Sequence, residues 1–116
     1  LGAIEEMREH DLAARARAIG ERMRARLEAI AVDHDVVAEI RGRGAMMAIE
    51  LCAPGTTDPD PARTAAVSAY CHRHGVVTLT CGTWGNVFRF LPPLSIGDAL
   101  LDEAFDVVAE AFAATA

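Results

Sequence analysis

The sequence has 116 residues, enough for one domain with a core of its own. Hydrophobic residues make up 52%, which excludes a disordered chain, and a formal net charge of −6 argues against nucleic acid or an anionic membrane as the main partner. No apolar run approaches the roughly eighteen residues of a membrane span and no secretion signal is visible, so a soluble, cytoplasmic protein is expected.

In chain order, residues 1 to 9 read as the end of a helix, with Leu1, Ile4 and Met7 spaced for one face. Asp11 offers an N-cap for a second helix reaching about Ala31, whose buried stripe would be Leu12, Ile19, Met23, Leu27 and Ile30. Its arginines (Arg15, Arg17, Arg22, Arg24, Arg26) read as a solvated face. Val36 to Ile40 and Ala45 to Leu51 are predicted strands joined by the tight connection Arg41-Gly42-Arg43-Gly44. This connection lacks the further glycine and the lysine of a phosphate loop.

After a polar loop to Pro61, Asp60 caps a helix that has Pro61 in its first turn and stops at Gly75. The helix ends in Cys71-His72-Arg73-His74, where two histidines two residues apart do not share a face and so chelate poorly. Val76 to Thr80 is a third strand, and a fourth carries Arg89 up to Pro92-Pro93, which end the pairing. Ser95-Ile96-Gly97-Asp98 resembles a capping box opening a last helix to about Ala114, with Leu100, Leu101, Ala104, Val107, Val108, Ala111 and Phe112 inward. The order α-α-β-β-α-β-β-α predicts an α+β fold, a small and mostly antiparallel sheet with helices on one face.

Two features bear on chemistry. All 11 basic residues are arginine, so the chain has no lysine amine for a Schiff base, and its three cysteines lack zinc-site spacing and read as free thiols. Arg89 stands in an apolar strand, with Val87 and Leu91 on its own face and Phe88, Phe90 on the other, and neither face looks water-facing. A guanidinium there needs an acceptor. Glu50, Asp58 or another acid of the chain could supply it, or a carboxylate from outside. Trp84, Phe88 and Phe90 are expected in the core or in a pocket wall.

The run Ile40-Arg41-Gly42-Arg43-Gly44 through Glu50-Leu51, then Gly75-Val76-Val77, then Asn86-Val87-Phe88-Arg89-Phe90-Leu91-Pro92-Pro93-Leu94, resembles the C-terminal small domain of class III pyridoxal-phosphate-dependent aminotransferases. Within that class it is most similar to the 4-aminobutyrate branch. The resemblance implies residues 1–10 as the end of an inter-domain helix and residues 11–116 as the small domain, with the cofactor-bearing lysine in a large domain upstream. It implies that Arg89 binds the substrate carboxylate, that no residue here is catalytic or binds cofactor or metal, and that the full-length enzyme is a homodimer taking amino-acid and 2-oxo-acid substrates. Such a fragment would be inactive alone, without bound pyridoxal phosphate. The alternatives are an ornithine-type or acetylornithine-type relative, or a free-standing α+β module that binds an amino acid for regulation.

Overall fold

A computed structural model describes the backbone of residues 2–116 and the side chains of residues 11–116. Its elements are α1 (Gly2–Asp33), β1 (Val37–Arg43), β2 (Met46–Leu51), α2 (Pro61–Arg73), β3 (Leu79–Cys81), β4 (Val87–Phe90) and α3 (Asp98–Ala114). The strands form one antiparallel sheet in the order β1-β2-β4-β3. All three helices lie against one face of it, giving the expected α+β architecture.

The two expected N-terminal helices are one. Asp11 lies inside α1 and caps nothing, because no proline and only one glycine, Gly20, interrupt the alanine-rich and arginine-rich sequence that follows it. An aspartate acts as a cap only where the preceding backbone leaves the helix. The stripe at Leu1, Ile4 and Met7 lies outside the described side chains. Further along, Ile19, Met23, Leu27 and Ile30 are buried as expected, but Leu12 is 53% exposed. It sits before the point where α1 meets the sheet and α3.

Three of the α1 arginines make a seam instead of a purely solvated face. Arg15, Arg22 and Arg26 pair with Asp98, Asp102 and Asp106, which recur every fourth residue along α3. The hydrogen bond from Arg22 raises its own pKa and holds the Asp102 carboxyl below its ordinary value. Asp98 is thereby committed to α1, and α3 has Gly97 as N-cap without any side-chain cap bond. The expected capping box at Ser95 is absent, because the helix begins at Asp98 and Ser95 stands two residues ahead of its N-cap. Leu100, expected inward, is 58% exposed, whereas Phe105 on the same helix is buried. The α3 core face follows Leu101, Phe105, Val108 and Phe112, at intervals of three or four residues.

The β1–β2 connection is shorter than expected, because the ladder runs on to Arg43↔Met46 and takes Arg41, Gly42 and Arg43 into β1, and the third strand is Leu79–Cys81, leaving Val76, Val77 and Thr78 outside it. Gly44 opens the two-residue β1–β2 turn at φ +56, a backbone region costly for residues with a Cβ. The Asp60 side chain accepts from the Arg63 backbone N–H at 3.0 Å, with Pro61 at the first position of α2. Close packing of α1 on the hairpin depends on Gly20, where an added Cβ would lie 1.9 Å from the Gly44 carbonyl oxygen.

Candidate functional site

The faces of the sheet differ in cover. Met47, Ile49, Leu51, Phe88 and Phe90 point into the core beneath the helices. The opposite face carries Arg41, Ala48, Glu50, Val87 and Arg89, with no helix of the described residues over it. Arg89 is therefore solvent-facing, contrary to expectation, and Leu91, beyond the strand end, is 65% exposed. Alternation assigned the faces correctly, but it gave no sign that Arg89 and Leu91 would be exposed while Val87, beside the Gly82 turn, is buried.

Strand register places Arg41, Ala48, Arg89 and Leu79 in one row across the four strands. Ala48 is the small residue between the two arginines, whose backbones stand about 10 Å apart at ordinary strand spacing. Arg41 is committed: its Nη1 lies 3.2 Å from Glu39 Oε2 and 3.4 Å from Glu50 Oε2. Glu50, a possible partner for Arg89, is thus taken by Arg41. Asp58 accepts from the Ala53 N–H through its backbone carbonyl, within its own loop. Among the described residues no acid pairs with Arg89, which borders a cleft of about 350 Å³ together with Arg41, Ala48, Cys81 and Gly82.

The chemistry available is anion binding. A guanidinium presents a planar fork of N–H donors that matches the two oxygens of a carboxylate. On the β1 side of Arg89, the Glu39–Arg41–Glu50 group is already charge-compensated, so the uncommitted positive charge beside the cleft is that of Arg89.

Other candidates do not join this site. His72 Nε2 meets the backbone of Thr78, and His74 stacks on Tyr70 with ring centroids 4.3 Å apart. Phe88 and Phe90 are core residues, but Trp84 is 67% exposed. It projects from the Gly82–Gly85 turn, closed by a 3.2 Å bond from the Gly85 N–H to the Gly82 carbonyl. The thiols Cys52 and Cys71 are buried and Cys81 is partly exposed. Burial pushes the Cys71 thiol up to about 11, and burial followed by the Glu50, Asp58 and Asp60 charges raises Cys52. Since the thiolate is the reactive form, a disulfide reagent at pH 8 is expected to label Cys81 first, and Cys52 and Cys71 only after denaturation. Labelling of all three at one rate in the folded protein would contradict this.

Sequence reasoning missed one residue of the site's frame. Asn86 is 1% exposed, and its Nδ2 donates to the Leu51 carbonyl at 2.9 Å. The available signal was an amide placed between a glycine turn and an apolar strand, where only a bonded polar group is tolerated.

A helix-backed antiparallel sheet with an uncommitted arginine on its bare face defines an α+β domain equipped to hold an anion. Residues 1–112 match the class-III aminotransferase family, and the chain belongs to it. It is 44% identical over 108 residues to the 4-aminobutyrate aminotransferase of Mycobacterium tuberculosis, covering 93% of this chain and 24% of that protein. It is 40% identical over 113 residues to the 5-aminovalerate aminotransferase of Pseudomonas putida, covering 97% of this chain and 27% of that protein. Among solved structures, a phospholyase from Arthrobacter in complex with phosphoethanolamine superposes with a TM-score of 0.83 at 30% identity, over 96% of this chain and 26% of that one. The chain thus spans about a quarter of the length of the curated relatives it matches.

Proposed function

We propose that the chain is the C-terminal small domain of a 4-aminobutyrate-type transaminase, with residues 1–10 the end of an inter-domain helix and residues 11–116 the domain itself. The full-length enzyme, a cytoplasmic homodimer, moves the amino group of 4-aminobutyrate to 2-oxoglutarate, giving succinate semialdehyde and glutamate. Arg89 binds the substrate carboxylate. The observation that carries this reading is the exposed, uncommitted Arg89 beside a cleft whose other arginine is already paired.

Pyridoxal phosphate, when bound, supplies the electron sink for amino transfer. With no lysine among its residues, this chain does not fit covalent attachment of that cofactor, which belongs to a large domain outside it. Arg89 acts on the substrate alone. By holding the far carboxylate it fixes where the amine lies, and such positioning contributes several kcal/mol in well-oriented reactions. The likeness to a 5-aminovalerate aminotransferase favours a second donor one carbon longer, held by the same arginine.

The test is an assay of the full-length protein with pyridoxal phosphate and 2-oxoglutarate, using 4-aminobutyrate, 5-aminovalerate, ornithine and acetylornithine in parallel. 4-Aminobutyrate and 5-aminovalerate, which carry no α-nitrogen substituent, are expected to be the best donors, and the isolated 116-residue chain to be inactive. Preference for ornithine or acetylornithine would contradict the assignment.

A further inference from the structure

The contact of α1 with the β1–β2 turn at Gly20 and Gly44 adjoins a cavity of about 160 Å³ between the two elements. Its walls include Arg17, Glu21 and Arg24 of α1 and Gly42 and Met47 of the hairpin. The three charged residues share one face of the helix, being spaced by four and then three positions. Arg15, Arg22 and Arg26 of the same helix are paired with α3, but neither Arg17 nor Arg24 forms an ion pair with any described residue. Glu21 stands between them and pairs with neither. Two guanidiniums against one carboxylate leave the cavity net positive, in a chain whose formal net charge is −6.

The hairpin adds a backbone donor. Gly42 lies opposite Met47, one pair before the Arg43–Met46 pair that closes the two-residue turn. Along an antiparallel ladder bonded and unbonded pairs alternate, and the pair closing a two-residue turn is bonded. The Gly42 N–H therefore faces away from β2, on the open edge of β1, with no side chain of its own to shield it at the cavity rim. A phosphate loop holds its anion with glycine N–H groups and a lysine. Here the hairpin has glycines, and arginines of a neighbouring helix stand where the lysine would be. We propose that this cavity binds a phosphate group, either as the free ion or as a monoester. Guanidinium forks match phosphate oxygens, and two of them balance a dianion. Glu21 opposes the ligand by like charge and keeps the site weak and reversible.

The experiment is isothermal titration calorimetry of the full-length protein, loaded with pyridoxal phosphate, using inorganic phosphate in one arm and methyl phosphate in the other at constant ionic strength. A saturable site is expected at millimolar concentrations. Arg17→Gln and Arg24→Gln should each weaken it about 10-fold or more, and Glu21→Gln should strengthen it about 3-fold, the scales of a lost charge-assisted bond and of a relieved exposed repulsion. Arg89→Gln, on the other face of the sheet, should leave the site in place. Tighter binding of inorganic phosphate would identify the free ion as the ligand, and equal or tighter binding of methyl phosphate a monoester. Arg17 is exposed and outside the core, so Arg17→Gln decides should Arg24→Gln not fold. No saturable binding, binding unchanged in both arginine variants, or binding lost in Arg89→Gln would overturn the proposal.

Discussion

Replacing Arg89 with alanine in the full-length enzyme should lower kcat/KM for 4-aminobutyrate by about two to four orders of magnitude. Two charge-assisted hydrogen bonds from one guanidinium contribute about 1.5–3 kcal/mol each, and every 1.4 kcal/mol is a factor of ten. The loss should fall on both KM and kcat, because the carboxylate contact both binds the donor and places its amine for the chemical step. Arg89→Lys should recover only part of it, since a point-like ammonium keeps the charge but not the planar fork. The fold should survive, because Arg89 is exposed and no described residue depends on it for an ion pair. Steady-state kinetics with urea unfolding as the stability check would show this. A loss confined to kcat, or a destabilised domain with unchanged kinetics, would mean that Arg89 has another role.

The largest effect on stability is expected at Phe112. Its ring is fully buried on α3, 5.6 Å from His34 at the end of α1 and 5.8 Å beneath the Arg63 guanidinium of α2. Arg63 also donates to the Phe112 carbonyl at 2.8 Å, so three helical segments meet at this residue. Truncation to alanine removes the buried ring and leaves a cavity, at a cost of about 3–5 kcal/mol. Against a total stability of about 5–15 kcal/mol for a domain, this consumes a large share. Urea denaturation of the domain should show a lower midpoint with little change in slope. A shift worth less than about 1 kcal/mol would mean that the three segments do not share one core at this point.

What could be read from the residues was local. Asp60 with Pro61 announced the start of α2 and Gly75 its end, because these signals act within a few positions in sequence, whereas the β-branched Val76, Val77 and Thr78 lie outside β3. What could not be read depended on partners far along the chain. Arg15, Arg22 and Arg26 look like a solvated face until α3 brings aspartates some 80 positions away against them. Leu12 and Leu100 fit their helical stripes yet fall where no element covers them. Asp11 shows the converse, a good capping residue overridden by helix-forming neighbours on either side.

The site shows the same division. Arg89 stood out in the sequence as a charge among apolar neighbours, but its exposure could not be seen, because alternation assigns faces without saying which one is covered. The commitment of Glu50 to Arg41 required the β1–β2 register, and the clasp at Asn86 required the meeting of β2, α2 and the β3–β4 turn. These contacts turn an odd cation into a cation left available for a ligand.

The most direct measurement is a structure of the full-length protein with butyrate bound as an unreactive carboxylate. Both carboxylate oxygens are expected within about 3 Å of the Arg89 guanidinium nitrogens, with Arg41 still held by Glu39 and Glu50. An Arg89 engaged by an aspartate or glutamate of the protein, with the butyrate carboxylate held elsewhere, would contradict the account.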